Sequence, residues 1–401
     1  MLGRACAGRD GRWFAFGSWV LKENDSRLPF LDLLRAVASQ AIVWHHLAFY
    51  GPLSDSAHEV ATSLIDGLAE HARLAVQVFF VVSGYLTAAS LTGREPSLVR
   101  DFLGVIGGRY RRIGLPYLGA LLLAISANEV ARLWMTHSSI SGRPSVPSLF
   151  AHVFLVHDLA GYEPLSAGIW YLAIDLQLVT LVAFVFWLSA QLAALGGKPA
   201  RGARLGRALL FGLGVLSLFY FNRHPGLDRV CLYFMGSYGL GLVVSWVRSG
   251  ALARRFFWAY ALLLVIAVAL DFRSRLLVAL ATGLVVMAAQ HFGWISHWPR
   301  SRLVRWLAGI SYSLFLVHFP VSLVVNALWS SHVPGTPWLS LLGMLTAYLT
   351  SMIVAVIFHY GVERKVVRIG RGARSRPPIS ALLQGAALPE APSGQPEASE
   401  S

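Results

Sequence analysis

Charge is what this sequence has least of. Only 13% of its 401 residues are Asp, Glu, Lys or Arg, against 56% hydrophobic ones, and the mean hydropathy is +0.58. So little charge cannot serve a single water-soluble core of this length, which excludes an ordinary soluble enzyme and points to a polytopic membrane protein. Cysteine is nearly absent too. Cys6 and Cys231 are too few for a disulfide framework and stand in no Cys/His spacing typical of structural zinc, so they leave the redox compartment open. Acidic residues are scarce beside basic ones, 20 against 34. The net charge of +14 would suggest nucleic acid as the partner of a soluble protein, but in a membrane protein the cations report topology instead, and no nucleic-acid partner is expected.

What the sequence does have is long apolar runs. They predict about ten transmembrane helices, near 30–50, 72–92, 113–134, 168–194, 206–222, 228–248, 254–270, 274–294, 305–329 and 338–361. With the N-terminus placed inside, 26 of the 34 Lys and Arg fall in cytosolic segments. Seven fall outside: Arg73, Arg132, Arg143, Arg223, Arg229, Arg273 and Arg275; Arg35 lies within a span. That asymmetry in alternate loops predicts an all-α integral membrane protein with both termini cytosolic. Residues 1–27 hold Arg4, Arg9, Arg12, Lys22 and Arg27 around an apolar patch, Trp13 to Leu21, too short to span and without a small-residue cleavage site. They read as a cytosolic N-terminal segment, with a signal-anchor as the alternative. Residues 28–365 form the membrane domain, and 366–401 a Pro/Ala/Glu/Ser tail expected to be disordered.

The most informative stretch is LPFLDLLRAVASQAIVWHHLAFYG, Leu28 to Gly51. Arg35 and His46 are eleven positions apart, which on a helix puts them within about 20° of one face and roughly 16 Å apart along the axis. His45 turns away. Ionisable side chains in hydrocarbon are expensive and mark work or pairing. A guanidinium suits phosphate, and a neutral imidazole can take a proton from a hydroxyl. A donor with a phosphorylated head and a long arm would span the gap between them. The alternative is structural: Arg35 pairing with Asp32 or reaching the interface, and His46 bonding to a neighbouring helix.

Four further segments share this pattern of polar residues set into apolar helices. They are FFVVSGYL (Phe79 to Leu86), RYRRIGLPY (Arg109 to Tyr117), IWYLAIDLQ (Ile169 to Gln177) and ISYSLFLVHFP (Ile310 to Pro320). Together with Arg35, ten intervening residues and His46, and in this order, they resemble the motifs of the membrane-bound acyltransferase family 3 over about residues 28 to 365. Two departures stand out. The family frequently has a Gly and an acid where this chain has Ala75 and Gln77, and usually Glu where it has Asp175.

The resemblance implies transfer of an acyl group, commonly acetyl, from cytosolic acyl-CoA to a hydroxyl of a sugar or another acceptor. It implies no permanently bound cofactor and no metal. Under it His46 is the general base and Asp175 tunes or positions it, by direct attack on the thioester, since no serine or cysteine stands in a nucleophile motif. Arg35, Arg109 and Arg112 would hold the CoA phosphates at the inner mouth. Ser83 would contact the thioester arm, and Tyr312 and His318 would line the acceptor side. Gly84 reads as helix packing or a bend. His152, His157 and Asp158 supply no complete metal shell and read as acceptor-side polar residues, in an outer segment, Thr136 to Ala167, that could cover the site as a lid. The expected partners are acyl-CoA, a carbohydrate or glycolipid acceptor and membrane lipids, in a bacterial inner membrane. Two alternatives remain: a transporter or flippase of a glycolipid or polysaccharide precursor, and an acyltransferase acting on a small secreted metabolite.

Overall fold

The computed structural model describes residues 28–91 and 98–366, and of residues 98–101 the backbone only. The expected N-terminal segment 1–27 and nearly all of the tail 366–401 lie outside the described residues. Among the described residues there are α-helices, short 3-10 turns and no strand. In chain order the helices are α1 (Pro29–Phe49), α2 (Pro52–His71), α3 (Val76–Leu91), α4 (Leu98–Trp134), α5 (Val146–Val153), α6 (Trp170–Leu195) and α7 (Gly202–Phe219). There follow α8 (Met235–Arg248), α9 (Arg254–Leu270), α10 (Ser274–His291), α11 (Trp294–His297), α12 (Arg302–His332) and α13 (Pro337–Phe358). Hydrocarbon offers no partner for backbone N–H and C=O groups, so an apolar run satisfies them within its own helix. Proline opens α1, α2 and α13, where its missing N–H has no intrahelical acceptor to lose.

Seven helical segments are long and apolar enough to cross a membrane: Pro52–Leu91, Phe102–Trp134, Trp170–Leu195, Pro199–Arg223, Ser274–His291, Arg302–His332 and Pro337–Val366. Three of the ten expected runs fall outside this set. α8 and α9 have 14 and 17 residues, fewer than the roughly 20 that span a bilayer. α1 has 21 but carries Asp32, Arg35, His45 and His46.

Two stretches outside the expected runs are helical. Residues 52–71 form helix α2, because Leu53, Ala57 and Ile65 make one buried face in a stretch whose polar residues suggest a loop. α4 begins at Leu98, so the basic motif at Arg109 to Arg112 sits well inside a 37-residue helix and not at a loop-to-helix junction.

The helices enclose two apolar cores. One gathers Phe80, Tyr85, Leu178, Tyr238, Trp246 and Tyr260 from α3, α6, α8 and α9. The other gathers Val43, Leu47, Tyr117, Leu172, Leu314 and Val317 from α1, α4, α6 and α12. α1 and α6 contribute to both, so polar residues on these two helices stand at the seam. α3 and α8 meet backbone to backbone: a Cβ on Gly84 would run into the carbonyl oxygen of Tyr238, and one on Gly241 into that of Val81. Gly84 is therefore a packing residue, as small residues in membrane helices commonly are.

Candidate active site

α1 and α12 lie side by side and run in the same direction, because Arg35 meets Ser311 near one end and His46 meets His318 further along both helices. Arg35 donates from Nη2 to Ser311 Oγ (3.2 Å), and its Nη1 lies 3.6 Å from Asp32 Oδ1. The expected alternative of pairing with Asp32 is thus present, joined by a bond to α12.

His46 and His318 are both buried. Their rings lie edge to edge and nearly parallel, with 4.9 Å between centroids and 7° between planes, and His46 Nδ1 is 2.7 Å from His318 Nε2. The proton positions follow from the partners. Leu314 O, 3.0 Å from His318 Nδ1, can only accept, so His318 carries its proton there. His318 Nε2 then presents a lone pair, which takes the N–H of His46 Nδ1. This leaves His46 Nε2 as an unprotonated ring nitrogen, the form a general base requires. Gly168 stands beside it: its backbone is left-handed (φ +82°), and a Cβ there would lie 3.3 Å from His46 Cε1 and 3.2 Å from the Phe315 ring.

A second polar cluster joins α3, α4 and α6. Arg109 donates to Asp175 Oδ2 from Nε (2.9 Å) and Nη2 (2.5 Å), and to Ser83 Oγ (3.0 Å). Ser83 in turn donates a short hydrogen bond to Asp175 Oδ1. Asp175 is 2% exposed and both of its oxygens accept a hydrogen bond, while Arg109 is 23% exposed, so a buried carboxylate is paired with a part-buried guanidinium.

This arrangement revises several expectations. Asp175 is held by Arg109 and Ser83, while the ring that fixes His46 is His318. Gln177, two residues on from Asp175, accepts from Cys231 N (3.1 Å). Arg109 is turned inward onto a carboxylate and Arg112 is exposed, so the two form no joint clamp for phosphates. Ser83 is engaged in the ion-pair cluster. The Tyr312 hydroxyl donates a short bond to Ile113 O and ties α12 to α4. Gln77, at the position where the family frequently has an acid, accepts from Ser237 Oγ (2.7 Å). Tyr171 and Phe315 connect the two clusters: Tyr171, one turn before Asp175, packs at 5.9 Å on Phe315, whose ring is 6.3 Å from that of His318.

The segment from Thr136 to Ala167 is anchored rather than free. Asn128 accepts from Ser141 N (2.8 Å) and donates to Leu165 O (3.3 Å), while Glu129 pairs with Arg132 (2.6 Å) and Arg143 (2.9 Å). α5 in this segment turns Val146, Phe150 and Phe154 outward, an apolar stripe at i, i+4 and i+8. His152 donates from Nδ1 to Ser148 O (2.8 Å) and stacks on His157 at 4.3 Å. Burial first, and the neighbouring His152 second, push His157 down to about 3, so it is neutral near pH 7. Among the described residues no three His, Cys, Asp or Glu side chains are grouped to hold a metal ion.

The family model of the acyltransferase 3 domain matches residues 28–360. The chain belongs to this family. All five motifs fall inside the matched range, and the protein is a membrane acyltransferase. Acyltransferase 3 membership also agrees with the division of its motifs: the first and last build the histidine cluster, and the middle three build the ion-pair cluster. The chain is similar to a Caenorhabditis elegans protein named regulator of hypoxia-inducible factor 1, with 22% identity over 421 aligned positions, covering 86% of this chain and 81% of that protein. No solved structure matches it.

Sequence reasoning placed His46 and His318 in the site but did not pair them, and it missed Ser311 and Gly168. Their signals are slight. A serine next to Tyr312 and a glycine just before the Trp170 helix are common features of apolar helices.

Proposed function

We propose that this protein is a multi-pass O-acyltransferase that moves an acyl group, acetyl above all, from cytosolic acyl-CoA to a hydroxyl of a cell-surface or exported carbohydrate, in a bacterial inner membrane. In this reading α1, α8 and α9 cross alongside the seven longer segments, giving ten spans with both termini cytosolic. The common direction of α1 and α12 supports it, since the first and ninth of ten spans run the same way.

The observation that carries the proposal is the directed pair His318–His46, which presents an unprotonated Nε2. The acceptor hydroxyl gives its proton to that nitrogen as its oxygen attacks the thioester carbonyl. The C–S bond breaks, CoA leaves as thiolate, and the His46 imidazolium returns the proton to sulfur. The products are an ester and free CoA. His318 takes no proton in this scheme; it holds the tautomer and the ring. Arg35, toward the inner end of the same face, is the cation available to the donor's phosphates.

The test is acyl transfer by purified protein in lipid, with His46→Ala and His45→Ala measured separately for CoA release and for the mass of the glycan product. General-base loss of about 10² to 10⁴ is expected for the first and little change for the second. The reverse pattern moves the base to His45, and relocation of a glycolipid without CoA release makes the protein a transporter.

A further inference from the structure

The C-terminal ends of α8 and α10 and the N-terminal end of α9 enclose a groove of about 640 Å³, and none of its lining residues belongs to either polar cluster. Arg248, Arg254, Gln290 and His291 stand in its lining, with Trp258, Leu284 and Met287 forming apolar wall; none of its lining residues is acidic. Arg248 is already oriented, donating to Tyr85 Oη (2.8 Å) and more weakly to Ser296 Oγ (3.5 Å). Arg254 is exposed and has no hydrogen-bond or ion-pair partner among the described residues. Trp258 and Phe292, 58% and 62% exposed, add aromatic surface to the groove.

Two guanidiniums at one end and an apolar trough leading from them match an amphiphile with an anionic head, and basic pockets between membrane helices bind such lipids. We propose that this groove is a binding site for an anionic phospholipid, its phosphate between Arg248 and Arg254 and an acyl chain along Trp258, Leu284 and Met287. The site is separate from the histidine pair and would hold a resident lipid of the cytosolic leaflet, where the ends of these helices carry their arginines. Acetyl-CoA also offers phosphate, but its two-carbon acyl group is too short to fill the trough.

The experiment is native mass spectrometry of the full-length protein, extracted from nanodiscs of phosphatidylglycerol or phosphatidylcholine with identical acyl chains. The expected result is preferential retention of phosphatidylglycerol, weakened about fivefold by Arg254→Ala and about as much again by Arg248→Ala. Because Arg248 also bonds Tyr85, Arg254→Ala is the deciding variant, with its melting temperature measured alongside. Equal retention of both lipids, or retention unchanged in Arg254→Ala, overturns the proposal. Displacement of the retained lipid by CoA overturns it as well, assigning the arginines to the donor instead.

Discussion

The two polar clusters in this bundle are built from the same materials and solve different problems. Ser83, Arg109 and Asp175 hold two permanent charges in mutual hydrogen bonds that engage both oxygens of the carboxylate. His46 and His318 hold no permanent charge, and the chain of bonds from Leu314 O ends in a ring nitrogen with its lone pair unspent. Burial of Asp175 makes the first a lock, since breaking the pair strands a buried charge, whereas the second leaves an acceptor open. Polar residues in membrane helices therefore divide by whether their hydrogen bonds close on themselves.

The sharpest way to break this contrast is to remove the two ends of it. His46→Ala should lower turnover by about 10² to 10⁴ while the melting temperature of the purified protein barely moves. Arg109→Met should do the opposite, costing about 3–5 kcal/mol of stability by leaving Asp175 buried and unpaired, and the double variant Arg109→Met/Asp175→Leu should recover most of it. A stable but inactive Arg109→Met would mean that the cluster belongs to the chemistry after all. Next comes His318. Gln can still accept from His46 Nδ1, whereas Leu cannot, so His318→Leu should lose roughly one to two orders of magnitude in turnover and His318→Gln clearly less. Equal losses would show that the His318 ring serves something other than acceptance of that proton. Smallest is Gly168→Ala, where a left-handed backbone and contacts at 3.2–3.3 Å should cost about 1 kcal/mol, read as a several-fold drop in turnover from a displaced His46.

Much of this was legible in the sequence, and the limits have physical causes. Apolar runs near 20 residues announce themselves, so the positions of α4, α6, α10, α12 and α13 were readable. α2 was not, because a helix that buries only one face against its neighbours keeps Asp55, Glu59, Asp66 and Glu70 on the other, and hydropathy alone reads it as a loop. Spacing along one helix put Arg35 and His46 on a shared face, and that face does meet a single neighbour, α12. Which residue meets which across two helices depends on crossing and register, and no single-helix periodicity contains that. Hence Asp175 was assigned to His46, although its carboxylate is taken by Arg109, and Arg109 was assigned to the inner mouth, although the helix carrying it starts eleven residues earlier and delivers it to the interior.

The contact of α3 with α8 through Gly84 and Gly241 has a mechanical corollary. With no side chain between the two backbones, neither helix can roll or slide without collision, so they travel as one rigid plank. Ser83 is bolted to that plank, and through Asp175 and Arg109 it also secures α6 and α4.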